Sequence, residues 1–116
     1  MDADLMRSPE GIRLEAEAAR IGREVVAVHA PSVDGESRFP TESFAAIRDA
    51  GLLAALVPTD FGGGGCTYAD VAAICTELGR HCGSTSMIYA MHQIQVACVV
   101  QHGVGVPHFE QLLREI

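Results

Sequence analysis

Residues 57–65 read VPTDFGGGG, and this stretch decides how the chain is organised. Four consecutive glycines have too much backbone freedom to remain helical, so the stretch is predicted to be a loop. Residues 52–58 are apolar and too short for a helix, which predicts an extended connector that crosses a core. The loop therefore separates the helices that precede it from those that follow it.

Two helices are predicted before the loop. The hydroxyl of Ser8 is a suitable cap for the first helix, which covers about residues 9–29 and is ended by Pro31. Residues 33–37 then form a polar turn. The second helix has apolar side chains at helical spacing and stops at Gly51, which is predicted to be a left-handed cap.

Three helices are predicted after the loop. Thr67 and Asp70 cap the third helix, and Ser84 or Thr85 caps the fourth, which continues to about His102. The fourth helix is apolar on nearly all sides, a pattern typical of a buried helix. A last helix begins at the proline at position 107.

No segment alternates apolar and polar residues for long enough to form a sheet, and no internal repeat is visible. The predicted fold is therefore all-α: one domain over residues 1–116, bundle-like, with five helices and a glycine-rich loop.

Composition excludes several function classes. Fifteen acidic residues against eight basic ones leave a net charge of −7 in 116 residues, which argues against a nucleic-acid surface. All eight bases are arginine, so a P-loop lysine and a lysine Schiff base are excluded. No apolar run approaches the roughly 18–20 residues of a membrane helix, and the acidic start lacks the order of a signal peptide. We expect a soluble, cytoplasmic protein without membrane insertion.

Residue spacing does not predict a metal site or a catalytic centre. The four cysteines lack C-x2-C spacing, and Cys75, Cys82 and Cys98 fall in apolar helical patterns, where a thiol packs as a small hydrophobe. No two histidines are four residues apart on a helix. The glycine run lacks the spacing of a dinucleotide fingerprint, so a structural loop is favoured over a phosphate site. The hydroxyls of residues 84–86 precede no nucleophile elbow, and the fourth helix contains no acid.

Several motifs occur in an order that resembles the N-terminal domain of the acyl-CoA dehydrogenases. They are Phe39-Pro40, Ala50-Gly51-Leu52-Leu53, the VPTDFGGGG stretch, Asp70 through Glu77-Leu78-Gly79, Cys82-Gly83-Ser84-Thr85, and the helix that ends at His102-Gly103. Residues 39–116 lie in register with the family pattern, and residues 9–29 fit its first helix.

The resemblance implies an oxidoreductase of fatty acid metabolism, a flavoprotein with an N-terminal helical domain, a middle β-barrel and a C-terminal helical bundle. Such enzymes bind FAD mainly on the last two parts, act on acyl-CoA substrates and form homo-oligomers. Since this chain corresponds to the first part only, we expect it to lack the barrel, the bundle and the glutamate base. No catalytic or flavin-binding residue is assigned to it, and we expect it to be inactive alone and to bind FAD weakly.

The resemblance also implies an acyl-pocket wall on the fourth helix. The corresponding substrate-binding positions are Ser86, Met87, Ala90, Met91 and Ile94. At about 100° per residue all five fall on one sector of the helix. The alternative interpretation is that this sector is simply core.

Two other functions remain open at this point. Relatives of this architecture include flavin-dependent monooxygenases in which a histidine of this helix lies near the flavin, and His92 would then be a catalytic residue. A non-catalytic helical interaction module is the other. Acyl chain length, electron acceptor and oligomeric state are not fixed by the sequence.

Overall fold

The computed structural model describes residues 3–116, and all regular structure in that range is helical. The α-helices are α1 (Pro9–Ile21), α2 (Ala27–Glu36), α3 (Thr41–Asp49), α4 (Tyr68–Gly79), α5 (Gly83–Gly103) and α6 (Pro107–Glu115). A π-helical turn, Gly22–Val26, joins α1 to α2 in one continuous rod. The described part of the chain therefore contains five helical rods, which confirms the predicted all-α class and the helix count. Short 3-10 turns cover Ala3–Leu5, Leu52–Ala54 and Thr59–Phe61.

The first rod is longer than predicted. Pro31 lies inside α2, so the prediction that it ends the helix and that residues 33–37 form a turn was wrong. Proline removes one backbone donor and crowds the preceding turn. The last turns nevertheless bury Val33, which is 4 % exposed, and this packing offsets the local penalty. The rod ends at Ser37, which adopts a left-handed conformation with φ of 50°.

The connector between α3 and the glycine loop is also different from the prediction. Gly51 is left-handed, as predicted, with φ of 80°. The chain then forms a 3-10 turn instead of an extended connector, because no strand among residues 3–116 lies beside it to accept hydrogen bonds from its backbone N–H groups. Bonds from Ala55 N to Leu52 O and from Val57 N to Ala54 O satisfy those donors locally. Leu52, Ala55 and Val57 are fully buried, so the connector does cross the core.

The core lies between the first rod, α4 and α5. Its largest cluster consists of buried side chains from these helices, from α3, from the connector and from the residue after the glycine loop: Leu14, Ala18, Ile21, Val26, Ile47, Leu52, Ala55, Cys66, Ile74, Leu78 and Tyr89. A second cluster, formed by Leu56, Val57, Val96 and Leu113, fixes α6 against the C-terminal half of α5.

Two expectations for α5 were wrong. Its N-cap position is Cys82, so neither Ser84 nor Thr85 caps the helix, and Thr85 is buried. The helix is also not buried on all sides, because α4, α6 and the connector cover only part of its surface and no element among residues 3–116 covers the rest. That uncovered side exposes Met87, Met91 and Ile94.

The cysteines do not all pack as predicted. Cys66 is buried and Cys75 and Cys82 are half-buried, but Cys98 is exposed on α5. Burial, with the nearby charge of Asp70, raises the pKa of the Cys66 thiol to about 11, so this thiol is protonated at neutral pH. Within residues 3–116, no helix is long and apolar enough to span a bilayer.

Candidate functional site

The glycine loop is closed to ligands by its own hydrogen bonds. The N–H groups of the four glycines donate to backbone carbonyls of the chain just before them: Gly62 to Thr59, Gly63 to Pro58, Gly64 to Ala54 and Gly65 to Val57. A side chain at Gly63 would collide with the Val57 carbonyl oxygen. The glycines therefore allow close backbone packing and present no free amides to a phosphate, in agreement with the structural interpretation.

A buried carboxylate fixes the loop to the first rod. Asp70 is fully buried and accepts hydrogen bonds from Arg7 Nε at 2.7 Å, Ser8 Oγ at 2.6 Å and Thr67 N at 3.0 Å. Burial alone would raise the pKa of Asp70, but these donors hold it well below its usual range. Ser8 Oγ also accepts from Gly11 N, which confirms the predicted cap of α1. The predicted Thr67–Asp70 cap is confirmed as a reciprocal capping box. We call Asp70 and its hydrogen-bond partners Arg7, Ser8 and Thr67 the clasp, and we interpret the clasp as structural.

A shallow apolar groove lies between α4 and α5. Its volume is about 260 Å³, and its lining comes from both helices and from the connector: Leu56, Tyr68, Val71, Ala72, Ala90, Gln93, Ile94 and Ala97. Seven of these eight side chains are apolar or aromatic, so the groove suits an apolar ligand such as an alkyl chain.

Two of the five predicted pocket residues line this groove. Ala90 and Ile94 line it. Met87 and Met91 are 62 % and 55 % exposed and do not line it. We call Met87, Ala90, Met91 and Ile94 the open face of α5. This face is a largely exposed apolar surface that shares Ala90 and Ile94 with the groove. The groove residues that carry polar atoms in their side chains, Tyr68 and Gln93, lie outside the open face.

Ser86, the fifth predicted residue, has a structural hydrogen bond. It is half-buried, and its hydroxyl donates to the Cys75 carbonyl oxygen at 2.7 Å. This bond joins α5 to α4 at the end of the groove where α5 begins. The hydroxyl is therefore engaged within the domain.

His92 lies outside the groove. Its Nε2 is 2.9 Å from the Leu53 carbonyl oxygen, and since a carbonyl only accepts, Nε2 carries the proton. The ring borders a different apolar groove of about 220 Å³ that α5 forms with Leu112 and Ile116. His92 thus helps to hold the connector and faces a separate recess.

Sequence reasoning missed the α4 side of the groove and Gln93. Tyr68, Val71 and Ala72 are spaced i, i+3, i+4, and on α5 the lining residues Ala90, Gln93, Ile94 and Ala97 are spaced i, i+3, i+4, i+7. When two consecutive antiparallel helices each carry a row of groove-lining residues at this spacing, the two rows can face each other. This pattern in the sequence could have predicted a groove between α4 and α5. Chemically, the site can bind and orient an apolar group. Among residues 3–116, no group of three or more metal-ligating side chains lies together.

Comparison with known proteins agrees with this fold. The family model for the acyl-CoA dehydrogenase N-terminal domain matches residues 8–104. A probable acyl-CoA dehydrogenase of Mycobacterium leprae is 31 % identical over 101 residues, which cover 86 % of this chain and 26 % of the relative. A probable FMNH2-dependent monooxygenase of Pseudomonas putida is 30 % identical over 104 residues, covering 84 % of this chain and 26 % of the relative.

A 3-sulfinopropanoyl-CoA desulfinase of Paraburkholderia xenovorans is 29 % identical over 76 residues, covering 66 % of this chain and 20 % of the relative. No solved structure gives a significant match. The chain spans about a fifth to a quarter of the length of these curated relatives. Since the family model covers most of the chain, this protein belongs to the acyl-CoA dehydrogenase family, of which it has the N-terminal helical domain.

Proposed function

We propose that this domain forms one wall of the acyl pocket of a FAD-dependent acyl-CoA dehydrogenase, a cytoplasmic homo-oligomer that introduces an α,β double bond into an acyl-CoA. The observation that carries the proposal is the open face of α5 beside the apolar groove. A helix of 21 residues without a single Asp, Glu, Lys or Arg leaves Met87, Met91 and Ile94 exposed. Exposed apolar surface of this kind marks a place where a ligand or another part of the protein packs.

The residues of this chain do not fit a flavin site by themselves. The amides of the glycine loop already donate to backbone carbonyls, and Asp70 is fully paired within the clasp. FAD, when bound, would accept the hydride, and its contacts and the base would belong to the rest of the enzyme. We therefore expect the 116-residue chain to retain no stoichiometric FAD after desalting, as measured by absorbance at the flavin bands.

Replacement of Ala90 by Phe in the complete enzyme tests the acyl wall. The added ring would fill the groove, so activity should fall more steeply as the acyl chain becomes longer. Each methylene displaced from apolar surroundings is worth about 0.8 kcal/mol. The measurement is kcat/KM for short, medium and long acyl-CoAs. A rise in KM alone would indicate that the variant has lost binding energy equally in the ground state and the transition state. A fall in kcat would indicate that the bound substrate is misplaced.

Ala16→Phe is the matched control, because Ala16 is exposed on α1, remote from the groove. It should leave the chain-length profile unchanged. An equal loss at every chain length with Ala90→Phe, together with a lowered Tm, would assign this side of α5 to the core and contradict the proposal.

A flavin-dependent monooxygenase is the second candidate. It is favoured by the 30 % identity to the probable FMNH2-dependent monooxygenase and by His92, whose ring borders a recess beside α6. His92→Gln retains a donor for the Leu53 carbonyl and removes the imidazole. Loss of flavin-dependent O2 consumption in this variant would favour the monooxygenase. Unchanged reduction of an artificial electron acceptor by acyl-CoA would favour the dehydrogenase.

A further inference from the structure

The amide of Gln93 is the one deeply buried polar group in the lining of the α4–α5 groove. Gln93 is only 2 % exposed. Its nitrogen Nε2 donates to the Leu52 carbonyl at 3.2 Å and to the Leu53 carbonyl at 3.1 Å. Its oxygen Oε1 is buried and accepts no hydrogen bond from any residue in the range 3–116.

The orientation of this amide is fixed by chemistry. Both partners of Nε2 are carbonyl oxygens, which accept but never donate, so exchanging the amide nitrogen and oxygen would place three acceptors together. The nitrogen therefore belongs on the side of the connector, and the oxygen occupies the other arm of the amide. A buried acceptor without a donor destabilises the domain until a donor reaches it.

We propose that Gln93 is a specificity residue of this groove, and that its Oε1 accepts a hydrogen bond from a hydroxyl group carried by the bound acyl chain. This inference rests on the proposed acyl site. A purely aliphatic chain would leave Oε1 unpaired beneath it, whereas a hydroxyacyl chain would bring the missing donor. Gln93 itself lines the groove between the half-exposed Tyr68 and Ile94, so an occupant of the groove lies next to this amide.

The test compares matched ligands on the 116-residue chain, in which all the groove residues reside. Dissociation constants are measured by calorimetry for dodecanoyl-CoA and for hydroxydodecanoyl-CoA isomers in which the hydroxyl is moved along the chain. The isomer whose hydroxyl reaches Gln93 should bind about tenfold more tightly than dodecanoyl-CoA, the factor expected when a buried acceptor gains its donor. This comparison uses the unsubstituted protein and does not depend on the folding of any variant.

Gln93→Met replaces the amide with an apolar side chain of similar length. It should abolish the preference for the hydroxylated ligand, measured as the ratio of the two dissociation constants. Gln95→Met is the control, because Gln95 is exposed on α5 outside the groove lining, and its preference should stay as in the wild type.

The outcomes separate the two claims. Binding of dodecanoyl-CoA with no preference for any hydroxylated isomer overturns the role of Gln93 and leaves the acyl wall intact. Preference that survives in Gln93→Met also overturns it. Failure of every acyl-CoA to bind overturns the inference together with the acyl site on which it rests.

Discussion

We call residues 52–67 and the Asp70 carboxylate the paired segment. The paired segment and the open face of α5 differ in how completely their interactions are satisfied within the domain. In the paired segment, the N–H groups of the glycine loop donate to carbonyls three to ten residues earlier in the chain. Asp70 accepts hydrogen bonds from Arg7, Ser8 and Thr67. On the open face, Met87 and Ile94 are each 62 % exposed, so residues 3–116 leave most of their surface uncovered. One region completes its interactions inside the domain, and the other leaves apolar surface unmatched.

The difference separates the residues that identify the family from those that we propose to form the acyl wall. The VPTDFGGGG motif lies in the paired segment, where its glycines allow backbone packing and present nothing to a ligand. The open face carries no motif, only methionine, alanine and isoleucine at helical spacing. The motif therefore identifies the family, whereas the proposed site rests on the exposed apolar surface.

The largest effect is expected from removing the carboxylate of the paired segment. Asp70→Ala leaves Arg7 Nε, the Ser8 hydroxyl and the N–H groups of Ser8 and Thr67 without the acceptor that Asp70 provides. We expect the free energy of unfolding to fall by roughly 3 kcal/mol, the cost of several unsatisfied donors at a buried site. Urea denaturation followed by circular dichroism measures it. Asp34→Ala, at an exposed position of α2, should change the same quantity by less than about 0.5 kcal/mol. Equal effects of the two substitutions would refute the clasp.

A smaller effect is expected from a methyl group in the glycine loop. Gly63→Ala would place Cβ against the Val57 carbonyl oxygen and side chain, and overpacking of this kind costs about 1–3 kcal/mol. Gly35→Ala is the control, because nothing lies within 4 Å of the position and it is inside α2. The control should stabilise by about 0.5–1 kcal/mol, since alanine is the better helix former. A Gly63→Ala variant as stable as wild type would show that the loop is not tightly packed.

Sequence reasoning was most successful where a local rule and the tertiary structure agree. Ser8, Gly51 and the Thr67–Asp70 capping box are short-range signals, and each was found at its predicted position. The prediction that Pro31 ends the helix was wrong, because the burial of Val33 offsets the local cost of a proline inside a helix. That burial is a tertiary effect, which the local sequence does not show. The exposure of α5 was not predicted, because a helix that is apolar on all sides has the same sequence pattern in both of two cases. Its surface can be covered by its own domain, or by a ligand or another part of a protein. Gln93 was passed over because an isolated glutamine carries no pattern; only its buried, unpaired oxygen distinguishes it.

Acid conditions should weaken the paired segment selectively. The pKa of folded Asp70 lies below the unfolded value of about 3.8, so its stabilising contribution is present above that pH and is lost as the pH falls below it. Asp70→Asn cannot titrate at this position. The difference in unfolding free energy between wild type and Asp70→Asn should therefore shrink as the pH is lowered through this range, as measured by urea denaturation. A pH-independent difference would contradict the role of the ionised carboxylate.

Substitutions on the open face should have the smallest effect on stability. They should nevertheless have a clear effect on self-association. Replacing Met91 and Ile94 together by Gln removes exposed apolar surface without touching the core, so unfolding free energy should change by less than about 0.5 kcal/mol. The wild-type chain should self-associate despite its net charge of −7, because α5 carries no acidic or basic side chain other than histidine to oppose contact. Light scattering should give a mass above 12.3 kDa that rises with concentration for the wild type and a mass near 12.3 kDa for the double variant.

Val28→Gln is the matched control for this surface, since Val28 is 65 % exposed but lies on α2, away from the open face. A single exposed apolar side chain is ordinary on a protein surface, whereas a contiguous stripe drives contact. The control should therefore associate as the wild type does. If Val28→Gln reduced the mass as much as the double variant, association would follow total exposed apolar area and the open face would have no special role. A wild-type chain that stays monomeric at high concentration would show that the open face needs no cover, and would weaken the case for a surface that packs against substrate or further protein.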